Sequence, residues 1–126
     1  QELIATHTAI LCGCAYARDN HGSNFVDLLG DRERGEAMMA AMDTDSTPDP
    51  DDARITAIAA YTEKLTLHPG DMVETDVVAL REAGLDDAQI FEVNQIVANF
   101  CYWARMLNGL GVTAEGEIIG MYGDPV

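Results

Sequence analysis

Apolar residues recur at three- and four-residue intervals along nearly the whole chain, the spacing of helices with one buried face. Leu3, Ile4, His7, Ile10 and Leu11 share a face of a first helix, which Gly13 interrupts. A second helix is predicted from near Cys14 to Leu29, where Gly30 stops it. Asp31 can cap a third, from Arg32 to Met42. Asp43 to Asp52 holds two prolines and five aspartates and breaks the periodicity as an exposed loop. Asp51 or Asp52 can cap a fourth helix carrying Ile55, Ile58, Ala59 and Leu65, which ends before Pro69-Gly70. A fifth opens at Thr75 and Asp76 and ends at Gly84. Asp86 caps the last and longest, whose apolar residues Ile90, Val93, Ile96, Val97, Phe100, Trp103, Leu107 and Leu110 spread round much of its circumference. Such a helix is expected at the centre of the fold or in a subunit interface. Beyond Gly111 the tail is too rich in glycine to assign. No internal repeat and no competing strand pattern is visible, so the expected class is all-α. Residues 1–126 are expected to form a single domain of about six helices. Because a helical pattern begins at once after Gln1, an upstream N-terminal helix is expected to be missing.

Composition sharpens this picture. A chain of 126 residues with 48% apolar content can build one core, but three Phe and one Trp leave aliphatic residues, Ala and Met to fill it. Met38, Met39 and Met42 fit that filling role. Seven basic residues against 22 acidic ones give a net charge of −15 and a pI near 4.1, so this is an acidic protein. Phosphate binding needs a basic face, so no nucleic-acid partner is expected, and an anionic membrane would repel the chain. No apolar stretch reaches membrane-spanning length and no signal peptide is visible. Cys12, Cys14 and Cys101 form a sparse, odd set, which suits a reducing cytoplasm better than a secreted disulfide scaffold.

The candidate chemistry centres on Glu2, Cys14 and His21, set around Ala17. A cysteine at position 17 would complete a Cys-x-x-Cys-x-x-x-His redox site with an upstream glutamate. A dithiol enzyme needs both sulfurs, one to attack and one to close the disulfide. Cys14 follows Gly13 where a helix begins, and a helix N-terminus favours a thiolate. His21 lies two turns further along the same face. Carboxylate, imidazole and thiol together would make a proton relay; the plainer alternative is a buried, inert cysteine and a surface histidine. Cys12 and Cys14 form a Cys-Gly-Cys pair, either a strained or alternative dithiol or simply two small residues. Cys101 is most simply core, unless the last helix packs against Cys14. His7 reads as a half-buried structural histidine and His68 as a cation at a helix C-terminus. No metal-ligand spacing, phosphate-binding glycine loop or Gly-x-Ser-x-Gly elbow is present, so neither a metal nor a cofactor is expected.

Taken in order, Glu2-Leu3-Ile4, the run Cys12-Gly13-Cys14-Ala15-Tyr16-Ala17 and Asn20-His21-Gly22 resemble the alkylhydroperoxidase D-like proteins of the carboxymuconolactone decarboxylase superfamily, in particular its peroxidase-related branch. The match continues through Leu28-Leu29-Gly30-Asp31, Tyr61 to Thr66 and Leu80 to Leu85. It ends at Gln95-Ile96-Val97-Ala98, Arg105 and Gly109 to Val112, so it covers the chain from Glu2 to Val112. The resemblance implies an all-helical fold assembled as a homotrimer or hexamer, and an antioxidant oxidoreductase that reduces peroxides through a disulfide cycle. Carried over by position, Glu2 is the relay acid, Cys14 the first thiol and His21 the relay imidazole, while Ala17 stands in the place of the second thiol. The family pattern has asparagines where this chain has Cys101 and Ala104, so departures cluster near one pocket and imply altered chemistry. The first expectation is a thiol-dependent, peroxidase-type enzyme with one cysteine of the motif. Cys12, Cys101 or a small external thiol would resolve Cys14, with Tyr16 and Arg105 as accessory residues. The second is a non-redox decarboxylase-like enzyme, in which Glu2 and His21 move protons on a small cyclic or lactone substrate and Arg105 anchors a carboxylate. The third is a catalytically inactive helical binding or assembly protein.

Overall fold

Six α-helices form in the computed structural model, which describes residues 1–117, 119 and 120. They are α1 (Glu2–Leu11), α2 (Ala15–Leu29), α3 (Arg32–Asp43), α4 (Ala53–Leu67), α5 (Glu74–Glu82) and α6 (Asp87–Leu110), with a 3-10 turn over Pro69–Asp71. The described residues contain no strand, and no helix among them is long and apolar enough to cross a membrane. The all-α expectation holds.

Short-range chemistry sets the helix ends. The Asp31 carboxylate accepts from the Arg34 amide at 3.1 Å, and Asp52 accepts from Arg54 and Ile55, each at 3.0 Å. Asp86 accepts from Gln89 N–H at 2.8 Å, and its own amide donates to Gln89 Oε1 at 3.1 Å, a reciprocal capping box. Helix α5 starts slightly before the expected Thr75-Asp76, because Asp76 reaches back and accepts from the Val73 amide at 2.8 Å. At the end of α1, Gly13 donates to Ile10 O at 3.0 Å and Cys14 to Ala9 O at 2.8 Å. This Schellman turn requires the left-handed φ of +63° that Gly13 adopts. Gly84 ends α5 in the same way, and the turn packs Leu85 with Leu80, both buried.

Of the two places expected for the longest helix, the centre is taken by α1. It packs against α2, α4, α6 and more lightly α3, and Ile4, Ala5, Thr6, His7, Thr8 and Ala9 are consecutively buried. Alanines and threonines let neighbouring backbones come close on every side. Thr6 satisfies its buried hydroxyl by donating to Glu2 O at 2.8 Å. Helix α6 buries Ile90, Val93, Val97 and Ala104 but leaves Phe91, Tyr102, Trp103, Met106 and Leu110 exposed. Two clusters make up the interior. One joins Ile4, Tyr61, Leu80, Leu85, Ile90, Val93 and Val97; the other joins Ala9, Cys14, Ala17 and Ala104. Met38 and Met42 are buried as filler.

Gly13 supplies a backbone state that a Cβ disfavours by about 1–2 kcal/mol. Gly13→Ala should therefore lower the unfolding free energy in urea by about that amount, and Gly13→Asn, which tolerates the left-handed region better, by less. Equal stability of all three proteins would contradict this account of the turn.

His7 supplies a pH test. Burial lowers its pKa below 6.5, with the Asp45 charge pulling weakly the other way. The unfolded chain therefore binds the proton more readily than the fold does. Stability from neutral His7 is present above about pH 6.5 and is lost as pH falls through the lower folded pKa. The wild-type minus His7→Gln difference in urea midpoint should shrink as pH drops from about 7 to about 5. A constant difference would remove His7 as the cause.

Candidate functional site

Helices α1 and α2 form a hairpin around the Gly13 turn, and the hairpin decides which side chains meet. Glu2 lies in the first turn of α1 and His21 midway along α2. Glu2 Oε2 is 2.8 Å from His21 Nδ1, with both side chains partly exposed. In the neutral imidazole that contact places the proton on Nδ1 and leaves Nε2 as the acceptor. The ring edge also packs on Phe100 of α6, with centroids 4.6 Å apart at 80°. The carboxylate and the aromatic ring together hold the imidazole in one orientation.

Cys14 is the N-cap residue of α2, as the position of Gly13 implies, and is 2% exposed. Its thiol makes no hydrogen bond among the described residues, neither to the first amides of α2 nor to His21. Ala9, Ala17 and Ala104, all buried, pack against it. A pocket of about 250 Å³ is lined by Cys14 together with Gly13, Ala15, Arg18 and Asp43. The last two are joined by a bidentate ion pair that also engages Asp19, and Asp43 is held below the usual carboxylate range by the Arg18 hydrogen bonds.

The other two cysteines meet each other. Cys12 caps α1, Cys101 lies on α6, and each thiol is the main influence on the other's titration. Arg105, one turn beyond Cys101, places Nη1 3.9 Å from Cys12 Sγ and 3.0 Å from Cys101 O. Asn108 donates to Cys12 O at 3.1 Å, and Thr66 Oγ1 on α4 is 3.7 Å from Cys101 Sγ. Interaction with Cys12 pulls Cys101 down to about 6 from the ordinary 9.0; partial burial opposes it, and Thr66 and Arg105 assist. The same interaction, with burial, pushes Cys12 up. The first proton thus leaves the pair easily and the second with difficulty. Tyr16 stands apart: its hydroxyl donates to Glu117 at 3.1 Å, and that carboxylate raises its pKa.

Sequence spacing singled out Glu2, Cys14 and His21, and the structure joins the first to the third. It places Cys101 beside Cys12 rather than Cys14, and sets Arg105 against the Cys12 sulfur and the Cys101 carbonyl. Thr66 and Phe100 were not singled out from sequence, because both reach the site from helices distant along the chain. The described residues hold no cluster of metal-ligating side chains.

No protein-family model matches the chain, and no curated protein matches it. Among solved structures it is similar to an uncharacterized peroxidase-related protein from Silicibacter sp. TM1040, at a TM-score of 0.78 and 26% sequence identity. The fold is peroxidase-related. The likeness covers 89% of this chain but 56% of that one, so this chain spans little more than half the length of its structural neighbour.

The mutual influence of the two thiols is directly measurable. In a Cys14→Ala variant, alkylation of Cys101 should be half-maximal near pH 6, not near the ordinary 9.0, and Arg105→Leu should move that midpoint upward. A midpoint above about pH 8 in the parent variant would refute a thiolate stabilised within the pair.

Proposed function

We propose that this protein is a thiol-dependent, peroxidase-type oxidoreductase working with one cysteine of the motif, Cys14. The observation that carries the reading is the 2.8 Å contact between Glu2 and His21, which orients a ring nitrogen for proton transfer on the helix that Cys14 caps. The likeness to a peroxidase-related protein supports it. In the reaction, the Cys14 thiolate attacks one oxygen of a hydroperoxide and the O–O bond breaks. Cys14 becomes a sulfenic acid, and the leaving alkoxide takes a proton to depart as an alcohol. The thiol proton passes through water to His21 Nε2, two turns along α2, and returns from there to the leaving oxygen, while Glu2 holds the ring. With Ala17 in the second position, a small external thiol attacks the sulfenic acid, releases water and forms a mixed disulfide. A second external thiol then frees Cys14. The exposed aromatic and aliphatic face of α6 supports assembly with further copies, as a trimer or hexamer, and the reduced cysteines suit a cytoplasmic setting.

A second reading is favoured by one observation: the Glu2–His21 pair is complete without sulfur, since Cys14 makes no hydrogen bond to it. The pair could then serve acid–base chemistry on a small lactone or cyclic acid. Peroxide consumption with a thiol reductant separates the two. Under the thiol reading Cys14→Ala abolishes Cys14-dependent turnover, His21→Ala lowers kcat/KM by about a hundredfold, and Glu2→Gln by about tenfold. Full activity in Cys14→Ala overturns it. Lactone turnover that survives Cys14→Ala but not His21→Ala establishes the second reading. A protein inert in both assays is a binding or assembly module.

A further inference from the structure

We propose that Cys12 and Cys101 form a second redox site, a dithiol bridging the end of α1 and the middle of α6 that a hydroperoxide closes to a disulfide without help from Cys14. This goes beyond the Cys14 reading and stands on different atoms.

Three features of the pair support it. Its two sulfurs come from distant parts of the chain, and Arg105 bridges the two residues, with Nη1 3.9 Å from Cys12 Sγ and 3.0 Å from Cys101 O. Asn108 fixes the backbone of Cys12 to α6, and Thr66 on α4 meets Cys101 from the other side. Both thiols are also half-buried, whereas Cys14 is 2% exposed, so a small oxidant reaches them more readily.

Arg105 is the third feature. In a chain of net charge −15, Arg18, Arg32, Arg34, Lys64 and Arg81 all form ion pairs with carboxylates. Arg54 and Arg105 form none among the described residues; Arg54 donates to Gly84 O, whereas the Arg105 guanidinium faces Cys12 Sγ and the Cys101 carbonyl. A cation kept free of so many carboxylates and placed against the Cys12 sulfur stabilises a thiolate and the negative charge that develops on a departing oxygen.

The step balances with a hydroperoxide as oxidant. A thiolate of the pair attacks one peroxide oxygen, an S–O bond forms and the O–O bond breaks. The departing oxygen leaves as alcohol after taking a proton. The partner sulfur then attacks the sulfenic sulfur, the S–S bond forms, and hydroxide leaves as water with the last thiol proton. Two thiols lose two electrons and the peroxide gains them. An external dithiol reverses the state by exchange through a mixed disulfide.

The test uses the full chain as Cys14→Ser, treated with a small excess of hydrogen peroxide, then blocked with N-ethylmaleimide and digested with trypsin without reductant. Cys12 and Cys101 are then the only thiols. The expected result is loss of both alkylatable thiols together, and a disulfide joining the peptide that ends at Arg18 to the one that ends at Arg105. Closure should be at least about tenfold faster than in the same variant unfolded in guanidinium chloride, and about tenfold slower in Arg105→Leu. Adding Cys12→Ser should stop the reaction at a sulfenic acid on Cys101, which dimedone traps. The proposal is overturned if the folded Cys14→Ser protein keeps two free thiols, links only between molecules, or closes no faster than the unfolded chain. Because Cys14 is absent throughout, failure here leaves the Cys14 reading standing, and failure of that reading leaves this one.

Discussion

The site depends on one backbone constraint, the left-handed turn at Gly13. Its two hydrogen bonds, from Gly13 to Ile10 and from Cys14 to Ala9, end α1 and reverse the chain at once. The reversal lays α1 against α2 and brings the first turn of one helix to the middle of the other, where Glu2 meets His21. The same turn divides the neighbouring cysteines. Cys12 stays at the end of α1 and faces α6, while Cys14 begins α2 and is packed among alanines. Two residues along the chain thus separate two chemical environments.

Close packing of small side chains is the second condition. Helix α1 is buried along six successive residues because alanine and threonine allow α2, α4 and α6 to approach it together. Of its two buried threonines, Thr6 donates to the preceding turn, while the Thr8 hydroxyl is buried without a partner among the described residues. The same approach also lets Ala9, Ala17 and Ala104 pack closely round Cys14.

Charge is organised around this frame. Asp31, Asp52 and Asp86 cap helices, and other acids hold most of the few cations in surface ion pairs worth little each. Arg105 is set apart from that network and directed to sulfur. In so acidic a chain, where a cation is placed says more about local chemistry than how many there are.

Much of this was legible in the sequence. Helix ends follow from Asp, Asn-like caps and glycine through contacts within a few residues, so the six helices and their breaks could be read from local spacing. The spacing of Glu2, Cys14 and His21 singled those residues out. Helix α6 was harder to place, since its apolar residues spread round its circumference and periodicity does not say which of them a neighbour covers. The partnership of Cys12 with Cys101, the approach of Thr66 and the aim of Arg105 left no short-range trace. They arise where α6 crosses the end of α1, and that crossing is set by how whole helix faces fit together. The sequence by itself determined the helices and their caps, because those rest on neighbours along the chain. Only the tertiary structure decided which thiols meet, because that depends on packing between helices far apart in sequence.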